Sequence, residues 1–240
     1  VWAWRPERAE KVACLYDGII CLYPFEPPYF EAEGMDAVFA GHPVMESGYK
    51  QANGKTVRAG FDIPAGAPVL GILFGSRTGE LKRIGPLLRK AAAIVADRTE
   101  ELHILTPTLP HLQEQVADLL HGLPCHSHIV TDPAHKWDAF AAMDTAMATS
   151  GTVGLELAVA GVPHVIAYKM NPLTWQVVRR KVKVKYAHLV NILLDRPVVP
   201  EFIQTGVRAD DIAQNVLKLF GKERAAQQQQ LFQQVRDLLT

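Results

Sequence analysis

The sequence predicts an α/β protein built on a doubly wound parallel sheet. Short apolar runs recur along the 240 residues, and most are followed by a polar loop and then by a stretch of helical periodicity. The runs lack a polar face, which is typical of parallel strands that are buried on both sides. Two of the runs end in Gly-rich loops, at the sheet edge where α/β proteins bind ligands.

Residues 1–45 predict two short helix and strand units. Glu7 and Glu10 lie where acidic side chains stabilise the positive end of a helix, and Pro24 ends the first strand because proline cannot continue it. The expected helices are 6–16 and 29–33, and the expected strands are 18–23 and 37–40. Residues 46–67 are polar, contain glycine and lack periodicity, so we expect a linker or domain crossing there.

Residues 68–200 repeat the order of strand, loop and helix. The expected strands are 69–74, 102–106, 125–130, 145–149 and 164–168, and the expected helices are 81–95, 112–120 and 136–143. Residues 201–240 predict two helices, 210–220 and 223–239, without a strand between them. Leu231, Val235 and Leu238 give the last helix an apolar stripe, which we expect to pack on a neighbouring domain or subunit.

The composition excludes several classes of function. The chain has 25 basic and 25 acidic residues, so there is no electrostatic case for nucleic acid binding. Cys14, Cys21 and Cys125 have no CxxC spacing and are typical of reduced thiols in a cytosolic protein. No apolar run reaches the ~18 to 20 residues of a membrane-spanning helix. The sequence begins at Val1 without methionine, so we expect an N-terminal portion to precede it.

The loop after strand 145–149 is the clearest candidate for ligand binding. Ser150, Gly151 and Thr152 would aim backbone N–H groups and the positive end of a helix at one point, which suits a diphosphate. Glu156 lies about one turn into that helix, where it can accept hydrogen bonds from a ribose diol. The alternative is an ordinary βαβ unit, because Ser and Thr are common at helix N-caps.

A second Gly-rich loop follows strand 69–74. It contains Gly75, Ser76 and Arg77, and the arginine can form a fork on a phosphate. An exposed arginine in a turn is the equal alternative. Because both loops follow strands of one parallel sheet, we expect them to converge on one ligand. The sequence has no Asp-x-Asp pair at a strand end, so it assigns a diphosphate to backbone amides and Arg77. The absence of a P-loop motif excludes a P-loop protein, and the absence of GxGxxG after a strand argues against NAD binding.

Three further features leave alternatives open. The basic run 179–185 beside Trp175 predicts either contact with an anionic membrane surface or a solvated face. Asn191, a lone polar residue in an apolar run, is either a structural residue bonded to the backbone or a substrate contact. His126 and His128 share one face of a strand without a third ligand, which is weak evidence for a metal site.

Short motifs follow one another in a fixed order along essentially the whole chain. They are Pro24-Phe25-Glu26, Gly41-His42-Pro43, Gly75-Ser76-Arg77-x-Gly79-Glu80, Ser150-Gly151-Thr152-x-x-x-Glu156, Asn171-Pro172-Leu173-Thr174, Val184-Lys185-Tyr186, Asn191-Ile192-Leu193 and Pro197-Val198-Val199-Pro200-Glu201. No single motif is decisive, but the series resembles the lipid-A-disaccharide synthases. The match covers the last part of that family's N-terminal domain and its entire C-terminal domain.

The resemblance implies a GT-B glycosyltransferase, in which two Rossmann-like domains face each other across a cleft. The segments it implies are the end of the acceptor-side N-terminal domain (1–45), a crossing (46–67), the UDP-binding domain (68–200) and the C-terminal helices (201–240). The implied reaction transfers 2,3-diacylglucosamine from UDP to 2,3-diacylglucosamine 1-phosphate and yields the β-1,6-linked lipid A disaccharide phosphate and UDP. The family needs no metal or cofactor. Its members lie on the cytoplasmic face of the inner membrane as peripheral proteins, and the resemblance is compatible with a homodimer.

The resemblance also assigns residues. Those assigned to substrate binding are Gly75, Ser76, Arg77, Ser150, Gly151, Thr152, Glu156 and Asn191. Arg77 would stabilise the diphosphate leaving group, Glu156 would hold the ribose, and Asn191 would lie near the cleft. The resemblance places the general base in the segment expected before Val1, so no residue of this chain is nominated. Another GT-B enzyme acting on UDP-GlcNAc and a non-catalytic nucleotide- or lipid-binding remnant stay open as alternatives.

Overall fold

The computed structural model describes residues 7–149, 151–169, 185–204 and 207–240. The described chain forms two parallel sheets, one of two strands and one of six strands. This mixed α/β architecture with a parallel sheet confirms the predicted fold class.

The smaller sheet is built from the N-terminal residues. Its elements are α1 (Arg8–Ala13), β1 (Gly18–Cys21), α2 (Pro27–Glu31) and β2 (Asp36–Phe39). The two helices bury Cys21, Phe30 and Met35 against one face of the strands. On the other face, Ile20 and Val38 are 70% and 57% exposed. The described helices therefore cover only one face of the first strand, whose apolar sequence is typical of strands buried on both sides.

The larger sheet has the strand order β5-β4-β3-β6-β7-β8, and all neighbouring strands are parallel. Its strands are β3 (Val69–Leu73), β4 (His103–Pro107), β5 (His126–Val130), β6 (Thr145–Thr149), β7 (His164–Tyr168) and β8 (Glu201–Ile203). The helices described with it are α3 (Gly54–Gly60), α4 (Thr78–Ala96), α5 (Gln113–Leu120), α6 (Lys136–Ala141), α7 (Thr152–Val159), α8 (Leu189–Leu194), α9 (Ala209–Leu219) and α10 (Lys222–Leu238). The sequence did not predict β8, which extends the sheet past residue 200.

Helices cover both faces of the larger sheet. On one face, Leu88 of α4 and Val216 of α9 pack in the same cluster as Ile72 of β3. On the other face, Phe140 of α6 packs in a cluster with Leu73. Complete burial of a side chain of this size stabilises the fold by about 1.5–3 kcal/mol relative to exposure. Burial on both sides explains the apolar sequence of the central strand β3, whereas the edge strand β5 has exposed polar residues at His126 and Ser127.

The predicted linker 46–67 is largely structured. It contains α3, which packs against α6 so closely that a Cβ on Gly54 would lie 2.3 Å from the carbonyl oxygen of Ala141. Val57 of α3 and Ile63 after it are buried in the core of the larger sheet. The sequence analysis did not predict this helix because the segment is mostly polar and only the positions that face the core are apolar.

The last helix, α10, packs on this same chain. Its buried apolar side chains, Phe232 and Val235, share a cluster with Val44 near the N-terminal sheet. The backbone N–H of His42 also donates to the carbonyl oxygen of Leu239 at 2.8 Å. The predicted stripe was partly wrong, since Leu238 is 40% exposed. None of the helices described in the structure is long and apolar enough to cross a membrane.

Candidate functional site

A cavity of about 490 Å³ opens at the carboxyl edge of the larger sheet. It is bounded by the segments that leave β3, β4, β5 and β6, which are neighbours in the sheet. The chain leaves β3 towards β4 on one side and later enters β6 on the other side. Such a topological switch point separates two loops and leaves a crevice for a ligand between them.

The loop between β3 and α4 forms one wall of the cavity. Gly75 has a φ of +103°, a conformation that residues with a side chain rarely adopt, so glycine is strongly favoured there. Ser76 and Arg77 follow it and line the cavity. Nη1 of Arg77 lies 2.8 Å from Glu80 Oε1, and the arginine side chain is 78% exposed. A surface ion pair of this kind is weak, so the guanidinium is available to an incoming anion.

The loop between β6 and α7 forms a second wall. Gly151, Thr152 and Glu156 line the same cavity as the β3–α4 loop. This confirms the expected convergence of the two loops at one edge of the sheet. Ser150 lies outside the described residues. The binding roles of all these residues stay predictions.

Two helices point their N-termini at the cavity. α4 has 19 residues and begins at Thr78, and α7 has 8 residues and begins at Thr152. The first N–H groups of each helix have no partner within the helix, and the helix dipole adds positive potential there. An anion between the two loops would therefore be stabilised by backbone groups from both helices.

Glu156 forms an ion pair that sequence reasoning missed. Its Oε1 lies 3.0 Å from Nζ of Lys136, the first residue of α6, and the two side chains are 25% and 37% exposed. Lys136 also lines the cavity. It is the first lysine or arginine after strand β5, just as Arg77 is the first after the buried strand β3. The same argument would have found Lys136.

The rest of the cavity wall is mainly apolar. Prolines and aliphatic side chains after β4 and β5 face the glycine loops across it. The apolar lining residues are Leu73, Pro107, Leu109, Pro110, Val130, Pro133, Phe140 and Val153. A site with an apolar half and an anion-binding half suits a ligand in which a flat organic group is joined to a phosphate.

Asn191 does not line this cavity. It is fully buried in α8, where its Oδ1 accepts hydrogen bonds from the backbone N–H groups of Val198 and Val199. Its Nδ2 donates to the carbonyl oxygen of Val199 and to Glu201 Oε1. The predicted substrate contact is therefore corrected to the structural alternative, because the protein itself fills the hydrogen-bonding capacity of the side chain.

Two buried histidines lie beside this network. His164 Nδ1 lies 2.8 Å from the carbonyl oxygen of Val162, its Nε2 lies 3.0 Å from His188 Nε2, and His188 Nδ1 accepts from the N–H of Val190. These partners assign the protons to Nδ1 of His164 and Nε2 of His188, with both rings neutral. Burial lowers the pKa of His164 to about 4. Burial, and next the neighbouring His164, lower the pKa of His188 well below its ordinary value.

The histidines predicted on one face of β5 meet a third histidine. His103 of β4 stacks on His126 and His128, with ring centroids 4.9 Å and 5.3 Å apart. Burial is the main cause that lowers the pKa of His103 and of His128. Within the described ranges, no three His, Cys, Asp or Glu side chains are arranged to hold a metal ion.

Two motif residues of the smaller sheet shape the turns after its strands. The carboxylate of Glu26 accepts from the backbone N–H groups of Leu22 and Tyr23, each at 3.0 Å. His42 Nδ1 accepts from the N–H of Val44 at 3.1 Å. These contacts are local, so they explain the motifs at the ends of β1 and β2 as turn-forming residues.

Part of the sequence prediction cannot be placed. Trp175 and the basic run 179–185, apart from Lys185, lie outside the described residues. The motif that begins at Asn171 also lies there. Contact with an anionic membrane surface therefore stays a prediction.

Comparison with known proteins identifies relatives. A model of the lipid-A-disaccharide synthetase family matches residues 1–240. The lipid-A-disaccharide synthase of Rhodospirillum centenum is 44% identical over 229 residues, which cover 95% of this chain and 57% of that protein. The chain thus spans little more than half the length of this curated relative.

Solved structures share the fold. A glycosyltransferase from Rickettsia africae matches with a TM-score of 0.60 at 10% identity, over 98% of this chain and 62% of that chain. A UDP-GlcNAc 2-epimerase from Neisseria meningitidis, bound to UDP-GlcNAc, matches with a TM-score of 0.59 at 12% identity, over 90% of this chain and 57% of that chain. At these identities the similarity shows the fold alone, which is the Rossmann-like parallel sheet of GT-B enzymes.

Proposed function

This chain belongs to the lipid-A-disaccharide synthase family, and we propose that it forms the UDP-binding part of a glycosyltransferase of lipid A biosynthesis. The donor would be UDP-2,3-diacylglucosamine and the acceptor 2,3-diacylglucosamine 1-phosphate. The observation that carries the proposal is the convergence of two helix N-termini, Arg77 and Glu156 on one cavity.

In this reaction the diphosphate is the leaving group. The acceptor hydroxyl oxygen forms a bond to the anomeric carbon, the bond from that carbon to the diphosphate breaks, and the hydroxyl proton passes to a base. Negative charge grows on the diphosphate during this step, and fixed N–H groups with a nearby guanidinium stabilise such charge without reorganisation. Gly75, Ser76, Arg77 and Thr152 line the side of the cavity that would hold the diphosphate.

Glu156 would bind the ribose. It lies one helical turn from the start of α7, so a diol joined to a phosphate at that helix start would lie within reach of its carboxylate. A carboxylate accepts hydrogen bonds and has no proton to donate when ionised, which matches two hydroxyl donors. The apolar wall would then contact the uracil ring.

We further propose that residues 1–45 belong to the acceptor side and that the protein is peripheral on the cytoplasmic face of the inner membrane. The basic run 179–185, with Trp175 nearby, supports contact with anionic lipid. A lipid-phosphate acceptor would be reached from that surface. A homodimer is compatible with this arrangement.

Calorimetric titration of UDP tests the proposal. The parent chain should bind UDP, and Glu156→Ala should weaken binding by ~1–3 kcal/mol because a charged hydrogen-bond acceptor is lost. Glu223→Ala, an exposed carboxylate at the start of α10, is the matched control and should leave affinity unchanged. Absence of UDP binding by the parent, or an equal loss in the control, contradicts the proposed nucleotide site.

A further inference from the structure

The ion pair between Lys136 and Glu156 joins two separate walls of the cavity. Lys136 is the first residue of α6, and Glu156 lies in α7. Lys136 Nζ is 3.0 Å from Glu156 Oε1 and 5.0 Å from the ring centroid of Trp137. The ammonium is thus held between a carboxylate and an aromatic face, and it fixes the glutamate from one side.

Only Oε1 of Glu156 carries a hydrogen bond in the part of the chain that the structure describes. A glutamate side chain has several rotatable bonds, and ordering it costs conformational entropy. Because the ion pair already restricts these torsions, Oε2 is available to a ligand without that full cost. A lysine ammonium has only donors, so Lys136 can hold the carboxylate but cannot accept from a diol itself.

We propose that Lys136 is a positioning residue that gives the site its preference for a ribonucleotide over a 2′-deoxyribonucleotide. This inference rests on the proposed function, since it requires a nucleoside diphosphate in the cavity. Lys136 would act through Glu156, whose carboxylate binds the 2′- and 3′-hydroxyls. A ligand that lacks the 2′-hydroxyl gains less from a well-placed carboxylate, so loss of Lys136 should affect it less.

The alternative is that Lys136 binds the diphosphate directly. Its position argues against this, because it begins α6, which follows β5, whereas Arg77 and the two helix N-termini come from the loops after β3 and β6. Its ammonium already has an acidic partner within the cavity. If Lys136 bound the diphosphate directly, its loss would weaken UDP and 2′-deoxy-UDP binding equally. If it acts through Glu156, its loss should weaken UDP binding more.

The test is to measure the Kd values of UDP and 2′-deoxy-UDP for the parent, Lys136→Met and Lys136→Arg. The parent should prefer UDP by roughly tenfold, the scale expected for one hydrogen bond to a charged group. Lys136→Met should lose most of this preference through weaker UDP binding, with 2′-deoxy-UDP affinity changed less than threefold. Lys136→Arg keeps the charge and should keep most of the preference.

Controls separate positioning from folding. Lys90→Met, an exposed lysine of α4 outside the cavity, should leave both Kd values unchanged. Melting temperatures of all variants identify any general loss of structure. An equal loss of affinity for both ligands in Lys136→Met, or no loss for either, overturns the inference. A parent that binds UDP without preference overturns the inference alone, whereas a parent that binds neither ligand overturns the proposed function as well.

Discussion

The cavity at the carboxyl edge and the buried network around α8 both contain polar side chains, but these side chains differ in burial and in how far the protein itself fills their hydrogen-bonding capacity. At the cavity, Arg77 is 78% exposed and its described ion pair is the one with Glu80. In the network, Asn191 is completely buried, and its side-chain amide makes four hydrogen bonds to the protein. A polar residue whose hydrogen-bonding capacity is satisfied by the protein itself stabilises the fold. A polar residue that faces an open cavity can bind a ligand.

Glu156 and Glu201 show the same contrast between two carboxylates. Glu201 accepts from the backbone N–H groups of Ala187 and His188 and from Asn191, so it ties the entry of α8 to β8. Glu156 has one ion pair and lines the cavity. Both residues belong to the motifs that indicated the family, but only one of them is placed to touch a ligand.

The largest expected effect tests the buried network. Asn191→Ala removes the oxygen and the nitrogen of the side-chain amide. The backbone N–H groups of the half-buried Val198 and the buried Val199 then lose their partner. We expect the free energy of unfolding to fall by about 3 kcal/mol, because each stranded buried group costs ~1–3 kcal/mol. Urea unfolding measures this change. UDP affinity of the molecules that remain folded should not change.

Asn215→Ala is the matched control, since its half-buried amide makes one described bond, to the carbonyl oxygen of Asp211. We expect it to cost less than about 1 kcal/mol. A larger loss of UDP affinity than of stability in Asn191→Ala would break the comparison, because it would place Asn191 in the binding site.

Acid should destabilise the buried network around α8. The His164 pKa of about 4 lies below the value of 6.5 for an unperturbed histidine, so protons bind preferentially to the unfolded state. The contribution of the neutral pair is complete above pH 6.5 and is lost as the pH falls from there towards 4. Integrated over that window, the loss amounts to about 3 kcal/mol for this one group. Urea unfolding at intervals between pH 7.5 and 4.5 measures the slope.

His164→Gln should reduce the slope of the free energy of unfolding against pH, because the variant lacks the imidazole of residue 164. This holds whether or not the substitution itself changes the stability. His111→Gln, an exposed histidine, should leave the slope unchanged. His188, His42, His103 and His128 also have lowered pKa values and contribute a slope of the same sign, so some pH dependence remains in His164→Gln. An unchanged slope in that variant would contradict the buried neutral pair.

The smallest expected effect on stability is that of Arg77, which lines the cavity. Arg77→Met should leave the free energy of unfolding within about 0.5 kcal/mol of the parent, because an exposed ion pair contributes little. UDP affinity should fall roughly tenfold, since a charge-assisted bond to phosphate is lost. The difference should shrink as salt is raised, because screening weakens exposed charges. A large loss of stability with no loss of affinity would reverse the roles assigned to the two regions.

Much of the fold followed from pattern alone. Strands Val69–Leu73 and Thr145–Thr149 are rich in apolar residues and buried at every position, and burial on both faces of a parallel sheet is the arrangement that such sequences favour. The helix α3 was missed because its polar outer positions hide the single buried Val57. The short strand β8 was missed because three residues carry no periodicity, and its pairing with β7 decides its structure.

The sequence by itself determined that loops after β3 and β6 carry glycines, an arginine and a carboxylate suited to a diphosphate and a ribose. Tertiary structure decided which polar residues reach that site. Lys136 lines the cavity because β5 lies two strands from β3 and both end at the same edge of the sheet. Asn191 lies outside the cavity because α8 packs against the segment 197–201. Spacing along a chain reports local geometry, whereas burial and hydrogen-bond partners depend on residues that meet only after folding.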